Sequence, residues 1–550
     1  MRHMRQSLGL SVRQAAAVLA AALLALPGCS RVSRQLTGSA RTGNSWTIHG
    51  VVRLAEAEEP NSLVRMFSHQ ASADDVTALL FEPFLRFDNH ENPVPGLALQ
   101  LPTTRNGLIS KDGLRITFNL RPNVLWSDGV PFSAQDVVFT WRAIVGGNNP
   151  VTFTAGFDRI KNIVVENPHR VTLVLKEPLS SAVYLFSEGS FPPLPAHLLS
   201  KYKTLHNIAY DAAPIGDGPF VLRRWLHGSE LVFDANPRYW RGKPRARQVV
   251  IKIIPTSDTQ VAQIRTHEID LLAGISKPLV SQVRGLPGIN VVKQLSANYR
   301  HLDFNLKNPI LADVAVRRAI ARGIDVDKII KDVYAGLGVR AVSDVPPFSW
   351  AANDLQPIPY DPAAARKLLD DDGWKPGPDG IRRRGNQRLA LTISSTTDNR
   401  PNAAAEQLAS QELKEIGVDL GVKNYAGAVL FAPTGPLYGG KYDLSWTVAT
   451  EGTDPDDLAL WGCDYWPPHG VNTEFYCNRQ VDAYLRDAQH NYDQARRRRD
   501  YREAWKIMLA EVPALMIYWD DSVSAINSDF KNFKPSPVVT DYWNAWEWEI

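Results

Sequence analysis

Short motifs built from histidine, serine, cysteine and glycine are the strongest sequence indications of catalysis. His267-Glu268 could begin a zinc-protease motif, but no second histidine follows at the required spacing. The turn Gly216-Asp217-Gly218 is not followed by the Lys-Ser/Thr pair of a phosphate loop. G-x-S-x-G, H-E-x-x-H and a plausible cysteine–histidine arrangement are also absent from the sequence. The sequence therefore predicts a non-enzyme without catalytic residues, metal ligands or cofactors, and a secreted peptide hydrolase is kept as an alternative.

Cys463 and Cys477 are the only cysteines beyond the first 29 residues. In an oxidising compartment, a close pair of this kind usually forms a disulfide. Two free thiols are the alternative, and a zinc site fits less well because the two sulfurs lack companion ligands at zinc spacing. We expect a disulfide that stabilises the fold by roughly 3 kcal/mol, since it closes a short loop.

The first 28 residues have the composition of a signal peptide. Three arginines precede a run of Ala, Val and Leu alone at 15–26, which is too short to span a bilayer comfortably. The run ends in Leu-Pro-Gly-Cys29, which looks like a bacterial lipobox and predicts lipid attachment at Cys29. An incidental cysteine after an ordinary signal peptide is the alternative. Residues 29–45 are then predicted to be a lipidated, flexible tether.

The charge balance bears on the choice of partner. Without residues 1–28 the chain loses three arginines and no acidic residue, so 61 basic and 58 acidic residues become 58 and 58. A neutral mature chain argues against nucleic acid or an anionic membrane as a bulk electrostatic partner. The run Arg496 to Arg499 falls in a predicted helix with Tyr501 and Trp505 on its opposite side, so we expect a solvent-exposed face.

Strand and helix signals alternate along the chain. Arg115–Leu120 alternates apolar and polar residues, the two-residue period of a half-buried strand. Asp128-Gly129 supplies a turn, and Ser133 stands three residues before Asp136, which predicts a capping box and a helix. The chain is therefore predicted to be α/β.

Several of these segments resemble one known family, the extracytoplasmic solute-binding proteins of oligopeptide and dipeptide ABC transporters (family 5). The resemblance extends over about 54–519, nearly the whole mature chain, in several segments in family order. It is carried by LRPNVLWSDG (120–129), PFSAQDVVFTW (131–141), GDGPF (216–220), NPRYW (236–240) and DVAVRRAIARGIDVDKIIKDVYAG (313–336).

The resemblance implies the architecture. Members have a two-lobe, periplasmic-binding-protein-like fold (type II, cluster C), a clam shell with mixed sheets flanked by helices. The chain crosses twice between the lobes. Residues 46–297 and 515–550 would then form lobe 1, and residues 298–514 would form lobe 2.

The resemblance also implies a binding site. Family members that bind peptides place an aspartate four residues before a proline to meet the ligand's N-terminal amine. Counting back from Pro455 puts Glu451 in that role, with Asp454 as the second choice, and Trp446 and Thr447 complete the predicted ligand-binding set. Glutamate instead of aspartate departs from the family pattern, and a plain polar turn before a helix is the alternative.

The function implied is that of a lipid-anchored, monomeric substrate-binding component of an ABC importer. It would capture short peptides outside the cytoplasm, in the periplasm or at the cell surface, and deliver them to a permease and ATPase complex. The same receptor role for a nickel chelate, haem, an opine or an oligosaccharide is the alternative, because a fold alone does not specify the ligand.

Overall fold

The computed structural model describes residues 43–397 and 399–550. The predicted signal peptide, Cys29 and most of the predicted tether lie outside these residues. Inside them, no helix combines the length and the apolar composition that crossing a membrane requires. The described chain is mixed α/β, as the sequence predicts.

Strands in the described part of the chain are numbered in order. They are β1 (Val51–Glu56), β2 (Leu85–Phe87), β3 (Pro93–Pro95), β4 (Arg115–Asn119), β5 (Ile160–Asn167), β6 (Arg170–Leu175), β7 (Phe220–Leu226), β8 (Glu230–Ala235), β9 (Gln248–Ile253), β10 (Leu271–Leu272), β11 (Ile289–Phe304), β12 (Gly338–Arg340), β13 (Lys375–Pro376), β14 (Arg382–Arg384), β15 (Gln387–Arg388), β16 (Ala390–Ser394), β17 (Asp419–Val422), β18 (Leu444–Thr450) and β19 (Ala514–Asn527).

Helices of the same described residues pack around these strands. They are α1 (Ala71–Leu80), α2 (Ala134–Val145), α3 (Ala196–Leu199), α4 (Ala209–Ala212), α5 (Ser257–Arg265), α6 (Val280–Val283), α7 (Val314–Gly323), α8 (Val326–Asp332), α9 (Pro362–Asp371), α10 (Arg400–Glu415), α11 (Gly427–Leu430), α12 (Leu458–Trp461), α13 (Arg479–His490) and α14 (Gln494–Glu511).

One large mixed sheet runs through the molecule in the order β17-β16-β18-β11-β19-β10-β1-β9-β8-β7, with β12 paired to β19. β1 is parallel to β9 and β10, and β16 is parallel to β17 and β18. β11 and β19 are antiparallel to each other and lie between these two groups. A smaller sheet, β4-β6-β5, packs beside the first group.

The two long central strands are joined along most of their length. Val291 is opposite Ala525 near one end of the pairing, and Leu302 is opposite Leu515 near the other. Between Leu295 and Tyr299 the register shifts, which marks an irregularity in the middle of β11. Each central strand therefore contributes to the sheet on both sides of this irregularity.

The buried apolar side chains form separate clusters. The largest takes its residues from 52–271 and 526–550. Two others come from 302–518 and 299–519, on the other side of the irregularity in β11. Separate cores are what two lobes require, and the exact lobe boundaries stay a prediction.

Local sequence signals are confirmed where the chain needs no distant partner. β4 begins at Arg115, and α2 begins after Ser133 with a complete capping box to Asp136.

The turn at Gly218 precedes β7, and a Cβ atom there would lie 2.5 Å from the carbonyl carbon of Leu80. Glycine is therefore required by close backbone approach.

Cys463 and Cys477 are joined by a disulfide in the structure, with their Cα atoms 4.5 Å apart. The bridge ties the loop after α12 to the residue before the N-cap of α13, so it closes a loop with a sequence separation of 14.

We predict that replacing both Cys463 and Cys477 by serine lowers the free energy of unfolding by about 3 kcal/mol, because the unfolded chain regains the entropy of the closed loop. Urea unfolding of the oxidised protein and the double variant measures this difference. A reducing agent should destabilise the wild type and leave the double variant unchanged. Equal stability of the two oxidised proteins would contradict the prediction.

Candidate functional site

A cleft made of two adjoining cavities lies where the central strands are irregular. The first cavity has a volume of about 530 Å³ and the second about 590 Å³. The two cavities share wall residues, among them Glu188, Ser190, Thr450 and Val539. Together they are large enough for a small organic ligand.

Both sides of the molecule supply the cleft walls. One side contributes residues from β1, α1 and the segment that follows β19. The other contributes Ser296 and Asn298 from the irregular part of β11, and Thr450 at the end of β18. Thr450 donates a hydrogen bond to the side chain of Asn298 at 2.6 Å, which holds these two strand ends together.

Ala297, between these residues, is bonded to both walls through its backbone. Its N–H donates to the carbonyl oxygen of Pro537 at 2.6 Å. Its carbonyl oxygen accepts a hydrogen bond from the N–H of Glu451 at 2.9 Å. The position of Glu451 is therefore fixed by the irregularity in β11.

Glu451 immediately follows β18, lines the second cavity and is only 6% exposed. Among the described residues, no lysine, arginine or histidine forms an ion pair with its carboxylate. Burial and then the neighbouring carboxylate of Asp344 raise the pKa of Glu451 well above its usual value. The side chain is a buried acid that lacks a cationic partner.

Two further acids, Asp344 and Asp457, lie close to Glu451. Asp344 accepts hydrogen bonds from the indole N–H groups of Trp461 and Trp505, and burial raises its pKa to about 6. Asp457, the N-cap of α12, has its pKa raised well above the usual value by burial and then by Asp344. Three neighbouring carboxyl groups cannot all ionise in so dry a site unless a cation joins them.

Asp454 differs from Glu451 because it already has a partner. Arg497 binds both carboxylate oxygens of Asp454, one of them at 2.8 Å, and the two side chains are 5% and 6% exposed. Arg497 also donates to the hydroxyl of Tyr501 at 2.8 Å. Of the two acids predicted to meet a ligand amine, Glu451 is the one left free.

The prediction that Arg496 to Arg499 form one solvent-exposed face is wrong at Arg497. Arg496, Arg498 and Arg499 are exposed, whereas Arg497 is buried beside Tyr501. Arg497 and Tyr501 are four residues apart, so they lie on the same face of α14. The acid that draws Arg497 inward, Asp454, is remote in sequence.

Trp446 and Thr447 do not line either cavity. Trp446 is 1% exposed in the apolar core that also holds Tyr518. Thr447 donates a hydrogen bond to Asp303 at 2.8 Å. Only Glu451 and Asp454 of the four predicted binding residues therefore reach the cleft, because β18 meets the cavities only at its end.

Three residues outside the cleft could hold a metal ion. His301, Asp303 and Glu474 each offer one ligand atom, and these atoms lie within 4.8 Å of one another. In the structure His301 and Thr447 are hydrogen bonded to Asp303. Sequence spacing cannot reveal this cluster, because Glu474 is remote in sequence from His301 and Asp303. The loop that carries Glu474 reaches the end of β11, where the N–H of Leu306 donates a hydrogen bond to the carbonyl oxygen of Glu474 at 2.9 Å.

Three further carboxyl groups line the first cavity, and the sequence motifs do not predict them: Glu56, Asp75 and Asp541. They come from β1, α1 and the segment after β19, and no motif connects them. The only local signal is that each is an acid next to predicted apolar structure.

A comparison with protein families identifies the class. The family described as bacterial extracellular solute-binding proteins, family 5 Middle, matches residues 92–470. The match covers well over half of the chain, and the chain therefore belongs to this family, which consists of extracytoplasmic binding proteins and not of enzymes.

Individual relatives are similar over most of their length. The oligopeptide-binding protein AppA of Bacillus subtilis is 22% identical over 541 residues, 96% of this chain and 97% of that protein. The glutathione-binding protein GsiB of Salmonella typhimurium is 26% identical over 434 residues, 77% of this chain and 81% of its own.

Solved structures share the fold. NikZ of Campylobacter jejuni, in complex with Ni(L-His), has a TM-score of 0.76 and 26% identity, and the match covers 92% of this chain and 100% of that one. AppA of Bacillus subtilis, in complex with a nonapeptide, has a TM-score of 0.73 at 22% identity over 90% of this chain and 98% of that one.

We predict that the ligand-free protein loses stability as the pH rises from the usual carboxyl range through about 6, the raised pKa of Asp344, and above it. Acids whose pKa is raised by folding stabilise the folded state below their unfolded pKa, and this contribution is lost as the pH rises through the folded value. Glu451, Asp344 and Asp457 all have raised pKa values. Urea unfolding at several pH values measures the loss.

Glu451→Gln should make this loss measurably smaller, because glutamine does not titrate. Glu415→Gln, the same change at an exposed position on α10, is the matched control and should keep the wild-type pH dependence. Identical pH dependence of Glu451→Gln and the wild type would count against the raised pKa of Glu451.

Proposed function

We propose that this protein is the lipid-anchored substrate-binding component of an ABC importer, which captures short peptides and delivers them to the permease. The observation that carries the proposal is Glu451, a buried carboxylate that lines the cleft and has no ion-pair partner among the described residues. Its partner is the N-terminal ammonium of the peptide, since a buried charge is stable only when it is paired.

The relatives support a peptide ligand. Two of them are named for binding oligopeptides and glutathione, and a third solved relative, a dipeptide-binding protein of Pseudoalteromonas, is in complex with Met-Leu. The second candidate is a metal chelate, favoured by the structure of NikZ with Ni(L-His).

Lobe closure is the proposed mechanism of capture. Residues 46–297 and 515–550 form one lobe and residues 298–514 the other, with β11 and β19 as the two crossings. A ligand that contacts both walls stabilises the closed state through contacts that the open state lacks. The closed, loaded lobes are what the permease and ATPase complex recognises. The protein acts as a monomer outside the cytoplasm, held to the membrane by lipid on Cys29.

Glu451→Gln should abolish calorimetrically detectable binding of tripeptides with a free N-terminus, because the charged partner of the ammonium is lost. N-acetylated tripeptides, which lack that charge, should bind the wild type poorly. Glu415→Gln is the matched control and should bind as the wild type does. Unchanged affinity of Glu451→Gln for an unblocked peptide would discard the role of Glu451.

The purified protein should carry its cargo into native mass spectrometry, because closed lobes release a ligand slowly. A bound mass that matches a short peptide, recovered intact after denaturation, is the expected result. A bound metal chelate would favour the second candidate. Turnover of a peptide mixture by the protein would support a hydrolase and overturn the proposal.

A further inference from the structure

The first cavity contains a second group of acids, remote from Glu451 in sequence. Glu56 accepts a hydrogen bond from the hydroxyl of Tyr542, and Asp75 accepts one from the hydroxyl of Thr540. Asp541 accepts a hydrogen bond from the backbone N–H of Ser536 at 3.0 Å. These donors are neutral, so none of them compensates a negative charge.

The cations that line the first cavity are already paired. Arg65 forms an ion pair with Asp74. Arg86 is bound to Glu82 at 2.9 Å and to Glu188 at 3.3 Å. His69 lines the cavity but forms no ion pair with Glu56, Asp75 or Asp541, and no described lysine or arginine does. The three acids therefore form a group of carboxyl groups without a cationic partner, which we call the acidic triad. Burial raises the pKa of each of them.

The second cavity has the same charge bias. Arg159 is the only basic residue among its described lining residues, and it forms an ion pair with Glu177. Asp456 accepts hydrogen bonds from Gln489 and Ser181, which are neutral. Along the whole described cleft, no lysine or arginine is left without an acidic partner.

An independent observation points to a polar ligand group in the first cavity. Ser187 is fully buried and lines this cavity, yet its hydroxyl has no hydrogen-bond partner in the structure. Buried hydroxyl groups in folded proteins are nearly always hydrogen bonded. The wall of the first cavity therefore contains a hydroxyl group without a hydrogen-bond partner in addition to the acidic triad.

We propose that the first cavity is a subsite for a second cationic group, so that the protein selects ligands carrying at least two ammonium or guanidinium groups. The inference rests on the proposed function, in which Glu451 holds the first amine. Because the cavities share a wall, one ligand can occupy both. A peptide with a lysine or arginine side chain and a polyamine both have this chemistry.

The excess of acids in the cleft also affects the C-terminal carboxylate of a bound peptide. A C-terminal carboxylate would meet no free lysine or arginine in the described cleft, and it would lie near the acidic triad or the acids around Glu451. Selection by the subsite therefore acts on positive charge, and the carboxylate contributes no ion pair to the affinity.

The test compares tripeptides that differ only in one charge, by calorimetry on the full-length protein. Lysine is placed at position 2 or 3, and the matched peptide has norleucine there, which keeps the aliphatic length and removes the ammonium. We expect the better lysine peptide to bind about 10- to 100-fold more tightly than its norleucine partner, because charged hydrogen bonds are the strong ones. Equal affinities at both positions would overturn the proposal.

The double variant Asp75→Asn/Asp541→Asn should bind the lysine and norleucine peptides about equally tightly. Its affinity for the norleucine peptide should match that of the wild type. Glu415→Gln is the matched control and should keep the full preference. If the double variant does not fold, the wild-type comparison repeated with C-terminally amidated peptides decides. The lysine preference must persist there, and its disappearance would overturn the proposal.

Spermidine distinguishes the two sources of charge. Tight binding of lysine peptides with weak spermidine binding indicates a basic-peptide receptor. Spermidine binding without peptide binding would support the cationic subsite and overturn the proposed peptide function. Binding of neutral and lysine peptides alike would leave the proposed function intact and remove only the subsite.

Discussion

The antiparallel pairing of β11 with β19 is the constraint on which the rest of the structure depends. These two strands connect the parallel group around β1 to the group around β16, and they have separate apolar cores on either side. A continuous ladder of backbone hydrogen bonds would join the two groups rigidly. The register shift between Leu295 and Tyr299 interrupts the ladder at the place where the cleft opens. The proposed binding residues therefore lie where the ladder of the sheet is interrupted.

Electrostatics supports the proposal that this opening is a binding site. Asp454 and Arg497 show how the protein treats a buried acid that belongs to the scaffold, with an arginine bound to both carboxylate oxygens. Glu451, a few residues away, lies close to two other acids, and among the described residues no lysine or arginine binds its carboxylate. Leaving it unpaired costs stability in the empty protein, and a cationic ligand removes that cost on binding. The unpaired Glu451 is therefore the common source of the proposed affinity for a cationic ligand and of the lower stability of the empty protein.

Local signals predicted much of the fold, and non-local pairing limited the prediction of the site. The capping box at Ser133 involves neighbours only, so the sequence was sufficient there. The burial of Arg497 is not predictable from local sequence, because the residue that pairs with it, Asp454, lies 43 residues away. Glu56 and Asp541 come close together only because the segment after β19 returns to β1, and no sequence spacing predicts this proximity. Glu451 was located through the family resemblance, whose motif fixes its distance from a proline.

The backbone of Ala297 connects the walls of the two cavities through hydrogen bonds. Its backbone is bonded on one side to Glu451 and on the other to Pro537, four residues before Asp541. A displacement of either wall is passed through two consecutive hydrogen bonds to the other. If both proposed subsites are used, occupation of one cavity would bear on the affinity of the other, and such an effect would be reciprocal. A ligand that fills both cavities would lie against the two walls that this single peptide unit of the irregular strand connects.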